Sequence, residues 1–281
     1  MRSKILLLAV TATTALAAAG PALAADDNGD FQVQWGSLTS RANDNGKFLK
    51  ANRKAARFLK RSGAMESVVA EVNRRWALPR DIPVLFSDAL QAGPAFIPNL
   101  RLDDGTKVTF INFPGSFLTL QVQALRPYVR GIDGFDAYDA MVASNEFVIA
   151  HEMGHALVRE LKIPVTGREE DAVDGFAAYL LADNPKFGPL TALSAAMFFA
   201  ALTEQRGPLE DTDFADEHSV HEQRVYQFLC WLYGSDPKTF KDLIGRNGLP
   251  RARAVRCGAE WKQVNRSWDA LLAPYATGAR R

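Results

Sequence analysis

The hydrophobic pattern of the chain changes near residue 115, from short β-type runs to longer runs with helical periodicity. Before that point, Ile82–Phe86 is a short β-type run. Phe96–Leu102 and Lys107–Phe113 flank an Asp-Gly pair, which is a strong two-residue hairpin signal. Pro98 demotes the first of these two runs to an edge strand or to no strand, because proline cannot donate a ladder hydrogen bond. The N-terminal part is therefore predicted to contain a small sheet.

Helical periodicity predicts two helices before the sheet, over Lys47–Arg61 and Met65–Trp76. Proline and glycine residues separate the helices that follow the sheet. These later helices are predicted over residues 116–129, 135–161, 168–183, 189–205, 219–233 and 259–273. Strands followed by helices predict an α+β fold, with a sheet-bearing N-terminal lobe and a mainly helical C-terminal lobe.

Residues 1–24 have the features of a secretory signal peptide. Arg2 and Lys4 precede the apolar stretch Ile5–Ala19, and residues 22–24 form a small-x-small cleavage site. The apolar stretch is too short for a comfortable membrane span, and no later segment approaches 18 uninterrupted apolar residues. We therefore expect an exported protein, periplasmic or secreted, that does not insert into a membrane after cleavage.

Composition narrows the class of protein. The chain has 281 residues, of which 47% are hydrophobic and 23% charged, as is ordinary for a globular protein with a real core. Removing Arg2 and Lys4 from the 33 basic residues leaves 31, against 32 acidic residues. This near-neutral balance predicts neither a nucleic-acid partner nor an anionic membrane partner.

Cys230 and Cys257 are the two cysteines of the chain. An even pair in an exported protein is most simply a disulfide, and two free thiols are the alternative. In the loop-entropy model the predicted disulfide stabilises the fold by roughly 3 kcal/mol.

Residues 147–158 have the sequence FVIAHEMGHALV. On a helix, His151, Glu152 and His155 point to one side, while apolar residues occupy nearly every other direction, so the helix should be buried. Buried imidazoles need partners, and one divalent cation supplies a partner for both. This is the H-E-x-x-H arrangement, in which the histidines bind zinc and Glu152 is the general base. The alternative is a core helix whose histidines are only hydrogen-bonded.

The third zinc ligand is predicted in the acidic segment at residues 167–181. Glu170 falls inside the apolar face of that predicted helix, and Asp174 lies at its edge one turn later. We assign Glu170 as the third ligand and Asp174 as the carboxylate that accepts the outer N–H of a zinc-bound histidine, His151. Glu169 lies near the other side of the face. The alternative for Glu170 is an acidic first turn that complements the helix dipole.

The other two histidines of the chain lie at residues 218 and 221. Ser219 and Glu222 predict a capping box and a helix that starts just after Ser219, which leaves His218 on a loop end. His218 is a candidate to stabilise the oxyanion of a tetrahedral intermediate, and Arg224 and Tyr226 are weaker candidates. The alternative is an ordinary surface histidine at a helix start.

His151-Glu152-x-x-His155 followed by Glu170-x-x-x-Asp174 resembles the glutamate-ligand branch of the zincin metallopeptidases, which includes the thermolysin-like enzymes. More specifically, the segments HEMGHALV, GREEDAVD and DEHSVHEQRVYQFLCWLYGSDP resemble an uncharacterised bacterial family of metallopeptidases, over about residues 31–275. The resemblance implies a small mixed sheet packed on an active-site helix, with a helical lobe closing the cleft. It also implies one zinc ion per chain. The gap between His155 and Glu170 is shorter than in thermolysin-like enzymes, which keeps Glu169 as an alternative ligand.

The resemblance implies a single metallopeptidase-like domain over residues 25–281, with a sheet lobe and active-site helix over about 31–161 and a helical lobe over about 162–281. The expected function is an exported zinc-dependent metallopeptidase that acts on a peptide or protein substrate. The alternative is a non-catalytic protein with a structural zinc site, which would have no use for Glu152 as a base. An extended substrate is expected to pair with Lys107–Phe113, unless that strand only packs the core.

Overall fold

The computed structural model describes residues 29–38, 48–90, 92–181, 188–245 and 248–277, without the side chains of residues 188 and 189. The predicted signal peptide lies outside these residues. Within the described ranges, no helix combines the length and the apolar character needed to cross a membrane.

A four-stranded mixed sheet lies in the N-terminal part of the protein, in agreement with the α+β prediction. It consists of β1 (Phe31–Trp35), β2 (Ile82–Phe86), β3 (Ala95–Arg101) and β4 (Lys107–Phe113). The strand order is β1-β2-β4-β3, with β3 antiparallel to β4 and the other pairs parallel. Strand β1 is absent from the predicted elements, although its sequence FQVQW alternates between apolar and polar residues.

The expectation that a substrate pairs with Lys107–Phe113 is wrong. This segment is β4, an internal strand that pairs with β2 over Ile111–Phe113 and with β3 on its other edge. The two edge strands are β1 and β3, and β3 contains Pro98.

The described part of the chain contains nine α-helices, and they dominate the C-terminal part. They are α1 (Arg53–Ser62), α2 (Ala64–Arg75), α3 (Gly115–Leu125), α4 (Ala137–Glu160), α5 (Glu169–Leu181), α6 (Gly188–Gln205), α7 (Asp211–Ala215), α8 (His221–Ser235) and α9 (Arg251–Leu272).

Two helices begin well after or before their predicted starts, and the first is α1, which begins at Arg53 rather than at Lys47. Helix α9 begins at Arg251 rather than at residue 259, because the only buried side chains in its first two turns are the small residues Ala254 and Cys257. Helix α8 has no capping box. The Ser219 hydroxyl donates to Asp171 Oδ1 at 2.7 Å, and the Glu222 carboxylate accepts from Arg206.

Helix α4 runs through the centre of the fold and packs against α2, α3, α5 and α6. A capping box formed by Asp136 and Asp139 fixes its start. A Cβ atom on Gly154 would lie 2.9 Å from Val173 Cβ and 3.1 Å from Phe176 Cδ1, so glycine lets α5 pack closely on α4. This close packing brings the acidic start of α5 to the histidines of α4.

The predicted disulfide is confirmed. Cys230 on α8 is bonded to Cys257 on α9, with a Cα–Cα distance of 5.1 Å, and both residues are fully buried. The bond joins two helices that also pack extensively on each other.

Candidate metal centre

Helices α4 and α5 bring three potential metal ligands together. His151 and His155 lie one turn apart on α4, and their Nε2 atoms are 3.3 Å apart. Glu170, in the first turn of α5, places Oε2 at 3.1 Å from His151 Nε2 and Oε1 at 3.2 Å from His155 Nε2. One ligand atom from each of the three residues lies within 4.8 Å of the others. This donor set, two imidazoles and a carboxylate, is that of many catalytic zinc sites.

Two further carboxylates hold the outer nitrogens of the histidine rings. His151 Nδ1 lies 2.8 Å from Asp174 Oδ1, and His155 Nδ1 lies 2.8 Å from Glu169 Oε1. When each Nδ1–H donates to its carboxylate, a neutral ring directs the lone pair of Nε2 towards Glu170. Electron pairs so close together repel unless a positive charge lies among them. A proton or a metal cation between these atoms removes the repulsion.

Glu169 and Glu170, the two candidates for the third ligand, contact opposite nitrogens of the His155 ring. The Glu170 carboxylate faces both Nε2 atoms, whereas Glu169 is 47% exposed and contacts the outer side of His155. Glu170 Oε2 is buried and makes no hydrogen bond of good geometry among the described residues. Burial raises the pKa of Glu170, but the facing histidines outweigh burial and hold that pKa well below its usual range. A charged carboxylate that faces three imidazole nitrogens fits a cation ligand.

Asp174 lies in a buried ion pair behind the histidines. Arg224 on α8 donates Nε to Asp174 Oδ2 at 2.8 Å and Nη2 to Oδ1 at 2.7 Å. Burial raises the pKa of Asp174, but Arg224 and His151 lower it by more. The carboxylate therefore stays charged and keeps Nδ1 of His151 protonated. The sequence suggests Arg224 only as a weak oxyanion candidate, although an arginine in the apolar run of α8 could have indicated a buried carboxylate partner.

Glu152 lies between the histidines and the edge of the sheet. Its Oε2 accepts a hydrogen bond from the backbone N–H of Phe96 on β3 at 2.8 Å, and the residue is 7% exposed. It is near enough to His151 to act on that imidazole electrostatically. Sequence reasoning misses this contact, because a backbone donor 56 residues away leaves no motif.

His218, on the loop before α8, contacts the Glu170 carboxylate. Its Nε2 lies 2.9 Å from Glu170 Oε2, and its Nδ1 lies 2.9 Å from Asp216 Oδ1. His218, Glu170 and Glu217 form a second set of possible metal ligands, which does not include His151 or His155. The contact with Glu170 raises the pKa of His218. Asp216 is a further residue that sequence reasoning misses.

A cavity of about 500 Å³ opens beside the cluster. His151, Glu152 and His218 line it together with apolar side chains of α4 and α6. The site is therefore connected to a space that can receive part of a ligand.

Metal binding is expected to weaken as the pH falls. Burial lowers the pKa of His151, but hydrogen bonds to the carboxylates of Asp174 and Glu170 outweigh burial and raise that pKa from 6.5 to about 9. Since the raised pKa keeps the imidazole protonated at neutral pH, a metal ion must displace a proton to bind. One displaced proton gives a loss of about tenfold in apparent zinc affinity per pH unit of acidification.

This pH dependence can be measured by competition with a fluorescent zinc indicator between pH 6 and pH 8.5. The indicator's own pH dependence, determined without protein, is the control. A zinc affinity that stays constant across this range would contradict the proposed proton displacement.

Comparison with known proteins gives one match. A family model described as "Putative metallopeptidase" matches residues 49–272, which include all of the residues described above for the site. Searches of the curated proteins and of the solved structures gave no significant match. Because the family model covers well over half of the 281 residues, the chain belongs to this metallopeptidase family.

Proposed function

We propose that the protein is an exported zinc-dependent peptidase, with the zinc ion held by His151, His155 and Glu170. The observation that carries this proposal is the convergence of the three ligand atoms within 4.8 Å, beside the carboxylate of Glu152. Imidazole and carboxylate ligands suit zinc, and three protein ligands leave a position for water or substrate. A zinc ion bound there supplies a Lewis acid that polarises a peptide carbonyl and acidifies water.

The residues of the chain account for the proton transfers of hydrolysis. Glu152, held by the Phe96 N–H, takes a proton from the attacking water through its second carboxylate oxygen and delivers it to the leaving amine. The Asp174–Arg224 pair fixes the ring of His151, and Glu169 fixes that of His155. His218 is oriented by Asp216, and its Nε2–H, which faces Glu170 in the metal-free site, would donate a hydrogen bond to the oxygen that becomes negative during attack once a metal ion holds Glu170.

A non-catalytic structural zinc site is the second candidate. It is favoured by the short distance of 2.9 Å between His218 Nε2 and Glu170, since a fourth ligand would close the site. Glu152 and the adjacent cavity support the peptidase instead, because a closed structural site needs neither a base nor space for a ligand.

Chelation tests the proposed activity directly. Dialysis against a zinc chelator is expected to abolish hydrolysis of an unfolded protein substrate, and equimolar zinc is expected to restore it. Release of new amino termini is the measurement, with chelator removed before the assay. Hydrolysis that persists in metal-free protein would contradict the proposal, and a purely structural zinc would give no hydrolysis in either state.

A further inference from the structure

The cavity beside the metal ligands has an aromatic wall. Three residues on its border belong to the proposed active site, namely His151, Glu152 and His218. Helices α3, α4 and α6 supply the apolar lining, which consists of Phe117, Phe147, Val148, Phe198, Phe199 and Leu202.

The rings of this wall are held rigidly in edge-to-face and tilted contacts. Phe117 meets Phe198 at 5.6 Å between centroids with the ring planes at 90°, and Phe147 meets Phe228 at 4.6 Å and 68°. The guanidinium of Arg224 lies 4.0 Å from the centroid of Phe199. A further aromatic ring entering this space would find the partners and spacings that aromatic pairs prefer.

Charged groups border the cavity one helical turn beyond Leu202. Arg206, on the same side of the helix, pairs with Glu222 and with Asp213, whose Oδ2 lies 3.4 Å from Arg206 Nη1. The charge of Arg206 is thus already matched within the protein. A glutamate entering the cavity would lose its hydration while Arg206 already has two carboxylate partners, and a lysine would meet Asp213 only as a carboxylate already paired with Arg206.

We propose that this cavity is the principal specificity pocket of the enzyme and that it selects a large aromatic side chain, of phenylalanine or tyrosine size, next to the scissile peptide bond. The inference rests on the proposed peptidase function. His151, one of the three proposed metal ligands, lines the cavity together with Glu152, so a ring bound against Phe199 holds the adjoining backbone beside Glu152. Apolar pockets discriminate by size and burial, and differences of about 10- to 200-fold are typical even for one methylene group.

Peptide binding to the zinc-loaded Glu152→Gln protein tests the pocket without turnover. The probes are hexapeptides of alanine and glycine with one variable position, occupied by Phe, Tyr, Ala, Lys or Glu. Dissociation constants from calorimetry are expected to be at least about tenfold lower for Phe and Tyr than for the other three. Equal affinities, or tighter binding of Lys or Glu, would overturn the proposal.

Substitutions at Leu202 locate the binding site. Leu202→Trp fills the cavity and is expected to reduce the preference for Phe over Ala to less than about threefold, whereas Leu202→Ala should extend the preference to Trp. Leu209→Trp is the matched control, because Leu209 is 41% exposed and does not line the cavity. A full aromatic preference in the Leu202→Trp protein would show that the ring binds elsewhere and would overturn the assignment.

Cleavage mapping separates this inference from the proposed function. Mass spectrometry of a peptide mixture treated with wild-type protein should show cuts concentrated beside aromatic residues. Cuts without aromatic preference would overturn the pocket and leave the peptidase standing. If wild-type protein cuts nothing while the Glu152→Gln protein still prefers aromatic peptides, the pocket is supported and hydrolysis is excluded.

Discussion

Replacement of Glu152 by glutamine is expected to lower peptide hydrolysis by ~10²- to 10⁴-fold and to leave the bound zinc in place. Glutamine has the size of glutamate and can still accept the hydrogen bond that the Phe96 N–H donates. It cannot take a proton from water, so the base is lost while the geometry is kept. Initial rates on an aromatic peptide, together with zinc content by mass spectrometry, measure the two effects.

Glu160→Gln is the matched control for this variant. Glu160 is also on α4, but it forms an ion pair with Arg80 instead of bordering the cavity. Its replacement should leave the hydrolysis rate close to that of the wild type. Retention of wild-type activity by the Glu152→Gln protein would show that another group is the base, or that hydrolysis does not belong to this site.

Replacement of Asp174 by asparagine is expected to have the second large effect, on both metal affinity and stability. Asp174 and Arg224 are 3% and 8% exposed, so the variant leaves a buried guanidinium without its counter-charge. Breaking a buried ion pair in this way costs about 3–5 kcal/mol of unfolding free energy. Loss of the carboxylate behind His151 is also expected to weaken zinc binding by about 10- to 100-fold.

Urea unfolding of the metal-free proteins and zinc titration of the folded proteins measure these two losses separately. Asp171→Asn is the control on the same helix, because Asp171 is exposed and, in the part of the chain that the structure describes, accepts a hydrogen bond from the Ser219 hydroxyl alone. Its unfolding free energy should remain within about 0.5 kcal/mol of the wild-type value. An Asp174→Asn protein as stable as this control, with unchanged zinc affinity, would contradict the role given to the ion pair.

Local patterns in the sequence predict the limits of those elements that have sharp boundaries. Strands β2 and β4 have the predicted limits, because short apolar runs with flanking polar and turn residues define them. Helix α4 also follows the prediction closely, since its apolar pattern is long. Helix α9 begins eight residues earlier than predicted, at Arg251, because its first turns bury only two small side chains, Ala254 and Cys257, which give a weak hydrophobic signal.

The residues of the candidate site also differ in how well local patterns predict them. His151 and His155 could be placed on one face because i and i+4 residues of a helix are neighbours. The Phe96 N–H that contacts Glu152 and the guanidinium of Arg224 that contacts Asp174 come from elements 50 or more residues away. Helical periodicity identifies the buried face of each element, but not which residue of another element faces it.

Metal analysis of the wild-type protein, purified without added metal, tests the central claim most directly. Inductively coupled plasma mass spectrometry is expected to find about one zinc ion per chain, as three protein ligands imply. The Glu170→Gln protein, assayed in parallel, should lose most of this zinc. Wild-type protein that contains no metal and takes up none from added zinc would show that His151, His155 and Glu170 form only a buried network of protons and charges.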